Sequence, residues 1–263
     1  MRKNSFLFVV MLSTALSLGF ASCDNDNGND PNDPTTGNDS GKENDPTAVP
    51  PTCTDYVDLG LSVKWATCNV GASSPEEYGS YFAWGEVNPK TIYNWNTYKW
   101  ATAIWNEEYS EWSCETSTKY NTVDNKKTLD YEDDAATVNM GKNWRMPTIE
   151  EQQELIENCT WTWIDDYCKT GIAGNIITSK INGNSIFLPA ASHHDQNNKY
   201  GDSYDDTYDV EEDPCGFYWS NSIYTYPEEE DPLYVCYIYS TPNNSFLYYS
   251  PPYVGKSVRA VRE

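Results

Sequence analysis

The folded part of the chain opens with Tyr56-Val57-Asp58-Leu59-Gly60-Leu61-Ser62-Val63-Lys64-Trp65-Ala66-Thr67. This stretch predicts two short strands around a turn at Gly60, because β-branched and aromatic residues favour strands and glycine supplies the backbone freedom of a turn. An aromatic stretch at residues 81–86 follows the turn-forming residues 74–79 and predicts a short buried run. The folded region is therefore expected to begin with strands and turns.

Two short helices are predicted in the middle of the chain. Residues 132–140 include alanines and a methionine and stop before Gly141, which suits a short helix with a glycine cap. Thr148-Ile149-Glu150-Glu151 matches a capping box, in which the threonine and the second glutamate exchange hydrogen bonds with the first turn. The second helix is expected to end near Asn158, and its apolar side is Ile149, Leu155 and Ile156.

The second half of the chain predicts antiparallel strands. Residues 175–179 and 184–188 are joined by Asn182-Gly183, a strong hairpin signal. Two short helices followed by many short strands indicate an α+β fold that is loop-rich and built on small antiparallel sheets. Further strand-like runs alternate with Pro, Asn and Gly turns at residues 217–220, 234–239, 246–249 and 257–261.

Six motifs follow one another along this region. They are Asp58-Leu59-Gly60-Leu61-Ser62-Val63-Lys64-Trp65-Ala66-Thr67, Tyr81-Phe82-Ala83-Trp84-Gly85-Glu86, Trp144-Arg145-Met146-Pro147-Thr148, Ile186-Phe187-Leu188-Pro189-Ala190-Ala191, Gly216-Phe217-Tyr218-Trp219-Ser220 and Gly255-Lys256-Ser257-Val258-Arg259. In this order they resemble the Fibrobacter succinogenes major paralogous domain family. The resemblance covers essentially all of residues 53–263, which we therefore take as one domain.

The resemblance implies a C-type lectin-like fold. The same branch of that fold contains formylglycine-generating enzymes and the target proteins of diversity-generating retroelements. The resemblance implies that the strand at residues 57–66 pairs with the closing strand at residues 257–261, which brings the ends of the domain together. It also implies a ligand surface on loops at the far end of the domain. Retroelement targets carry their variable side chains in the segment that corresponds to Trp219 through Gly255.

The C-terminal segment offers a candidate ligand surface. It combines many Tyr and Asn side chains with few Lys or Arg, and rigid Tyr faces give a large contact area for little loss of entropy. The alternative is that about half of these aromatics alternate into the core of a sheet. Because neighbours on a strand face opposite ways, at most one of Tyr248 and Tyr249 is expected on the surface. The candidate ligand-binding residues are Tyr224, Tyr226, Asn243, Asn244, Phe246, Tyr248 and Tyr253.

The N-terminus carries the parts of an export signal. Arg2 and Lys3 precede an apolar run at residues 6–20, and small residues follow, which indicates a signal peptide over residues 1–22. The apolar run is too short to span a bilayer comfortably. Phe20-Ala21-Ser22-Cys23 resembles a lipobox, which predicts cleavage after Ser22 and acylation of the Cys23 thiol, with palmitate among the attached lipids. The alternative is an ordinary signal peptide with a cysteine near its cut site.

Residues 23–52 predict a disordered acidic linker. They are rich in Asp, Asn, Pro, Thr and Gly, and they have almost nothing apolar to bury that would offset the entropy of ordering. Acidic residues directly behind Cys23 also resemble the surface-export signal of some envelope lipoproteins, whereas a periplasmic spacer is the alternative. The expected location is the outer membrane, with the lipid on Cys23 as the anchor and the domain displayed on the cell surface.

The composition limits the partners. Phosphate binding needs clustered Lys and Arg, so a chain with a formal net charge of -23 is not expected to bind nucleic acid or anionic headgroups. Tyr 21 and Trp 10 outnumber Phe 7, so the aromatic side chains mostly combine an apolar face with a polar group. An unidentified protein or glycan ligand remains as the expected partner, together with the membrane through the lipid.

No cofactor or metal site is expected. The seven cysteines after Cys23 include no Cys-x-x-Cys pair, and only His193 and His194 offer imidazoles, which argues against structural zinc. The odd number of these cysteines leaves at least one thiol unpaired within the chain, and the disulfide connectivity stays open. The acidic loop at residues 202–213 offers oxygen ligands to calcium but lacks EF-hand spacing, and a solvated loop is the alternative. Triplets typical of calcium-bridged sugar binding are absent.

Three classes of function remain. The leading class is a lipid-anchored binding protein or adhesin, diversified or fixed. The second is a subunit or tip of an envelope filament, which requires exposed edge strands. An enzyme related to formylglycine-generating proteins is the least favoured, because Cys215 and Cys236 lie far apart in the sequence and no base or cation accompanies Cys159 and Cys168. The run from His193 to Asp195 lacks a nucleophile context.

Overall fold

The structure is a computed structural model, and it describes residues 55–195, 214–224 and 234–263. All described residues lie in one compact unit, Val49–Glu263. Cys23, the predicted signal peptide and linker, Tyr226 and the acidic loop at residues 202–213 lie outside the described residues. In those described ranges, no helix has the length and apolar character needed to cross a membrane.

The described residues form small antiparallel sheets and two short α-helices, which confirms the predicted α+β class. The strands are β1 (Tyr56–Val57), β2 (Lys64–Asn69), β3 (Ala101–Asn106), β4 (Glu111–Ser117), β5 (Cys159–Ile164), β6 (Gly174–Ser179), β7 (Ser185–Pro189), β8 (Gly216–Tyr224), β9 (Tyr234–Ser240), β10 (Ser245–Ser250) and β11 (Arg259–Arg262). The helices are α1 (Ala135–Met140) and α2 (Ile149–Asn158), and 3-10 turns lie at Trp95–Thr97, Tyr131–Asp133 and Tyr167–Lys169.

Side-chain caps set the helix boundaries. The predicted helix at residues 132–140 is shorter than expected, because Asp134 is extended and its carboxylate accepts a hydrogen bond from the Thr137 N–H at 2.9 Å, so α1 begins after it. Gly141, with φ +97°, ends α1 as predicted. The capping box of α2 is also confirmed: Thr148 accepts from the Glu151 N–H, and the Glu151 carboxylate accepts from the Thr148 N–H at 2.8 Å.

The two ends of the domain meet in one sheet. β2 pairs antiparallel with β1 on one side and with β11 on the other, in the order β1-β2-β11. Val261 lies opposite Trp65, and the Arg145 backbone extends this region through a bridge to Val261. The turn between β1 and β2 contains Gly60 at φ +71°, a conformation that glycine adopts without strain. The predicted pairing of the first and closing strands is therefore confirmed.

Two further hairpins, β6–β7 and β3–β4, lie outside this sheet. β6 and β7 pair antiparallel around the predicted Asn182-Gly183 turn, where Gly183 has φ +75°. β5 adds to β6, although it follows α2 directly and no turn residue announces it. β3 and β4 form a two-stranded hairpin that the sequence did not predict, because charged residues interrupt its apolar pattern.

A fourth sheet, in the order β10-β9-β8, forms the centre of the domain. On one face, α2 packs against all three strands, and Leu155 joins a buried cluster with Tyr218 and Ile238. A second buried cluster contains Trp84 and Trp219, and both indoles donate hydrogen bonds at 2.9 Å, to the carbonyls of Ser220 and Phe82 respectively. The aromatic run at residues 81–86 is thus largely buried, as predicted.

Candidate functional site

Four tyrosines gather at one end of the central sheet, and we call them the tyrosine surface: Tyr224, Tyr234, Tyr248 and Tyr249. The antiparallel register brings them together, because Tyr224 at the end of β8 lies opposite Tyr234 at the start of β9, and Tyr249 of β10 lies opposite Cys236. The rings of Tyr224 and Tyr249 stack with centroids 4.4 Å apart and planes at 11°. Tyr234 meets Tyr249 edge-on at 5.5 Å. All four rings are at least partly exposed.

Tyr248 and Tyr249 both belong to this surface, so the expectation that only one of them could do so is wrong. Their Cβ atoms alternate between faces as in any strand. Both side chains are nevertheless at least partly exposed, and their rings stack with centroids 5.1 Å apart and planes at 10°.

Buried rings support Tyr248 from below. Tyr248 contacts Tyr237 edge-on at 6.0 Å, and Tyr237 is only 5% exposed. Tyr237 in turn packs against Trp219, which is fully buried, at 5.7 Å. Because the Tyr248 ring rests on packed ones, its position is restricted before any ligand arrives, which lowers the entropic cost of binding.

The predicted asparagines lie at the other end of β10. Asn243 and Asn244 form the turn between β9 and β10, where both backbone N–H groups donate to the Thr241 hydroxyl. Both asparagines are exposed, and Phe246 beside them packs against Tyr239. Asn244 precedes Tyr249 by five residues, ~17 Å along an extended strand. The structure therefore divides the predicted surface into a tyrosine group and an asparagine group.

Tyr253 does not lie on the predicted ligand surface. It is 4% exposed and packs edge-on against Trp95 at 4.9 Å. The preceding Pro252 carbonyl accepts a hydrogen bond from the Trp84 N–H at 2.8 Å, which draws this turn into the domain. The assignment of Tyr253 to an exposed ligand surface is thus corrected. Conversely, Tyr234 was not predicted as a ligand-binding residue, because the sequence indicates only that it begins a strand.

A buried cation lies beneath the central sheet. Lys256, from the last of the six motifs, is 2% exposed, and its ammonium group lies over the rings of Phe217, Trp219 and Tyr237, at 4.8, 4.9 and 4.2 Å from the centroids. Such contacts between a desolvated cation and ring faces are attractive. Sequence alone gave no signal for this arrangement, because a lysine is rarely buried.

His193 lies beside this buried cation, and its ring contacts Phe217 edge-on at 4.6 Å. Burial, together with the charges of Lys256 and His194, lowers the pKa of His193 to about 3, so this imidazole is neutral at physiological pH. Its Nδ1 atom is buried and has no hydrogen-bond partner within the described residues. The exposed His194 ring lies between Tyr81 and Tyr93, with centroids at 4.2 and 5.9 Å.

A cleft beside the aromatic core is too small for a ligand. It is lined by Trp84, Trp95, Tyr98 and Tyr120 among others, and its cavity volume is ≈ 10 Å³. That is about the space of one water molecule. A sugar ring or a side chain therefore cannot enter, and recognition by these aromatics would require the domain to open.

The described ranges give one observation on metal ligands and one on thiols. No group of His, Cys, Asp or Glu side chains there is arranged to hold a metal ion. Burial raises the pKa of Cys236 to about 12 and also raises that of Cys159, which is opposite to the activation of a nucleophilic thiol. Cys68 is disulfide-bonded.

Comparison with family models, with curated proteins and with solved structures finds no match to this chain.

Proposed function

We propose that the chain is an outer-membrane lipoprotein, anchored through Cys23 and displayed on the cell surface, that binds a protein or glycan ligand through the tyrosine surface. The observation that carries the proposal is the stack of Tyr224, Tyr249 and Tyr248, three partly exposed rings of which Tyr248 rests on the buried Tyr237. Monomeric proteins seldom place such a group of aromatics at a sheet edge without a binding role.

The sequence around the tyrosine surface contains an uncharged segment and an acidic one. No charged residue occurs from Pro232 to Gly255, a segment that includes β9 and β10, whereas Glu228, Glu229, Glu230 and Asp231 stand between Tyr224 and Tyr234 in the sequence. Tyrosine rings supply apolar area and a hydroxyl at low entropic cost, which suits both sugar rings and protein surfaces.

The proposed fold is C-type lectin-like. The antiparallel pairing of β2 with β11, which joins the ends of the domain, supports this assignment, as do the small sheets and the two short helices. Whether the segment that holds β9 and β10 is diversified is a separate question. A reverse-transcriptase gene and a near-identical template repeat beside the gene would support diversification, and their absence would leave a fixed binding protein.

The direct test compares ligand binding by wild type and by a variant with Tyr224→Ala, Tyr248→Ala and Tyr249→Ala. The full-length lipoprotein in detergent micelles is applied to an array of glycans and purified surface proteins. A variant with Tyr56→Ala, Tyr78→Ala and Tyr131→Ala serves as the control, because these tyrosines are also exposed, at 46%, 39% and 76%.

We expect the first variant to lose each interaction of the wild type by at least tenfold, about 1.4 kcal/mol, while the control keeps it. Unchanged far-UV circular dichroism would show that the loss is not caused by unfolding. If both variants bind every wild-type ligand equally well, the tyrosine surface is not the binding site.

A further inference from the structure

The outer edge of β5 has no neighbouring strand in the part of the chain that the structure describes. β6 pairs with β5 on one side, and β7 lies beyond β6. Of the other helices and strands, only the preceding helix α2 lies close to several residues of β5. None of the isolated bridges within residues 55–195, 214–224 and 234–263 reaches Cys159–Ile164. Among these residues, β5 is therefore an edge strand.

The peptide groups of Trp161 and Trp163 point toward this outer edge. In an antiparallel pair, successive residues of a strand direct their N–H and C=O groups alternately to the two sides. The Lys180 N–H donates to the Asn158 carbonyl at 3.0 Å, and the same register continues along β5 and β6. Every second residue from Asn158 onward thus bonds to β6, and Trp161 and Trp163 have no backbone hydrogen-bond partner within the described ranges.

β5 lacks the features that usually protect an edge strand. Such strands commonly carry charged side chains, prolines or bulges, or are covered by another element. Cys159–Ile164 contains no charged residue and no proline, and its register with β6 continues without a shift. Thr160 and Thr162, on one face of the strand, are both exposed. The β3–β4 hairpin, by contrast, has exposed glutamates and a shift in register.

The side chains of β5 favour an uncharged strand as its partner. A charged strand would bring its charges against Thr and Trp side chains, because β5 has no opposite charge to match them. Every copy of the chain carries one uncharged strand of the same length, namely β5 itself. The net charge of -23 opposes association of two copies, but this repulsion acts over a distance and is screened by salt.

A two-fold axis at Thr162 gives the most favourable register between two copies. With the axis there, Trp161 lies opposite Trp163 of the second copy, and the same pair forms again on the other side of the axis. Aromatic pairs across neighbouring strands stabilise a sheet. An axis at Trp161 would instead bring Asp165 of one copy toward Glu157 of the other, and like charges in such positions repel.

We propose that two copies of the domain associate by antiparallel pairing of their β5 strands. The peptide groups of Trp161 in one copy bond to those of Trp163 in the other, and two three-stranded sheets become one continuous sheet. A two-fold contact uses β5 of both copies, so the assembly ends with a dimer and does not continue into a filament. Two tyrosine surfaces in one dimer increase avidity for a multivalent ligand, a consequence that rests on the proposed function, whereas the pairing does not.

The first test places a cysteine on the predicted axis. The full lipidated chain is dispersed in an excess of detergent micelles and mildly oxidised, and non-reducing electrophoresis detects a covalent dimer. Thr162→Cys puts two new thiols opposite each other, whereas Thr160→Cys puts each new thiol opposite Ile164 of the second copy. Both threonines are exposed on the same face of β5, so the second variant is a matched control. We expect a covalent dimer for Thr162→Cys and only the wild-type level for Thr160→Cys.

The second test places a charge on the axis. Thr162→Lys brings two ammonium groups together, so the dissociation constant of the dimer, measured by light scattering on dilution, should rise by at least about tenfold. Thr116→Lys, at an exposed threonine of β4, makes the same change in net charge and should leave the dissociation constant unaltered. Because both substitutions make the chain less acidic, a response to net charge alone would strengthen association in both variants.

Two results would overturn the proposal. A wild type that stays monomeric at every concentration, with no cross-linking of Thr162→Cys above the wild-type level, would show that β5 does not pair between copies. Equal cross-linking of Thr162→Cys and Thr160→Cys would show that copies collide without the predicted register. Neither result depends on whether the tyrosine surface binds its own ligand.

Discussion

Tyr224 and Tyr249 stack face to face although they belong to the two outer strands of a three-stranded sheet. Their centroids are 4.4 Å apart, whereas two strand spacings amount to roughly 9.6 Å. The side chains therefore lean toward each other across β9, where Tyr234 meets the Tyr249 ring edge-on. Contact between residues so far apart in the sequence makes the tyrosine surface part of the tertiary structure of the domain.

The stack predicts an energetic coupling between Tyr224 and Tyr249. Aromatic pairs contribute about 1 kcal/mol beyond the area that they bury, so Tyr224→Ala and Tyr249→Ala together should cost about 1 kcal/mol less stability than the sum of the single changes. Urea unfolding of the four proteins of this double-mutant cycle measures the coupling. The pair Tyr224→Ala and Tyr131→Ala, whose residues make no ring contact with each other, should be additive. Additivity in both cycles would contradict the stacking.

Gly255 is predicted to tolerate no side chain. A Cβ atom at this position would lie 2.6 Å from the Tyr93 ring, which is buried and whose hydroxyl donates to the Tyr81 carbonyl at 2.8 Å. Gly255→Ala should therefore lower the free energy of unfolding by about 1–3 kcal/mol. Thermal unfolding checks this. Gly171→Ala is a useful comparison, because nothing lies within 4 Å of its Cβ and only the strain of φ +78° remains. A Gly255→Ala protein as stable as wild type would show that the turn can move.

Asp133 is predicted to stabilise the domain above acidic pH. Burial alone would raise its pKa, but hydrogen bonds from Lys119, Tyr120 and Lys99 outweigh burial and hold the pKa below the ordinary value. The native state thus binds this proton less readily than the unfolded state, so the contribution is present above the ordinary Asp pKa and is lost as pH falls through the lowered one. Asp133→Asn should cost about 2 kcal/mol at pH 7 and flatten the acid limb of the stability profile. Glu132→Gln, an exposed neighbour, should do neither.

His193 gives a second pH-dependent contribution at higher pH. Its native pKa is about 3, whereas an unfolded histidine titrates near pH 6.5. Between these values the unfolded state binds a proton that the native state does not, so stability falls as pH decreases, by at most about 1.4 kcal/mol per pH unit. His193→Gln removes this titration, and denaturant midpoints between pH 6 and pH 4 should then fall less steeply than in wild type. Identical slopes would mean that the native imidazole is protonated as readily as the unfolded one.

Local signals in the sequence predicted local structure well. The capping box at Thr148 and Glu151 defined the start of α2, since the hydrogen bonds join residues three apart. Asn182-Gly183 defined the β6–β7 hairpin for a similar reason, because the turn requires a positive φ that glycine provides. In both cases the chemistry lies within a few residues, so no knowledge of the remaining fold was needed.

Features that depend on sheet order could not be predicted. Tyr248 and Tyr253 belong to the same tyrosine-rich stretch of sequence. Tyr253 is nevertheless buried, in a turn whose Pro252 carbonyl accepts a hydrogen bond from the Trp84 N–H, whereas Tyr248 lies on a strand at the edge of the described sheet. Strand alternation also placed Tyr249 away from Tyr248, whereas in the structure their rings stack. From the sequence alone, Lys256 is expected at the surface. In the structure, its ammonium group lies over aromatic rings of the neighbouring strands β8 and β9.

The most direct test of the account is the state of Cys23 in intact cells. Cells that make wild type or Cys23→Ser are grown with labelled palmitate, treated with protease while intact, and fractionated. We expect wild type to carry the label in the membrane and to lose its domain to the protease, and Cys23→Ser to carry no label and to leave the membrane. Unchanged labelling of Cys23→Ser, or a labelled wild type whose domain resists protease on intact cells but not on lysed cells, would contradict a surface-displayed, lipid-anchored binding protein.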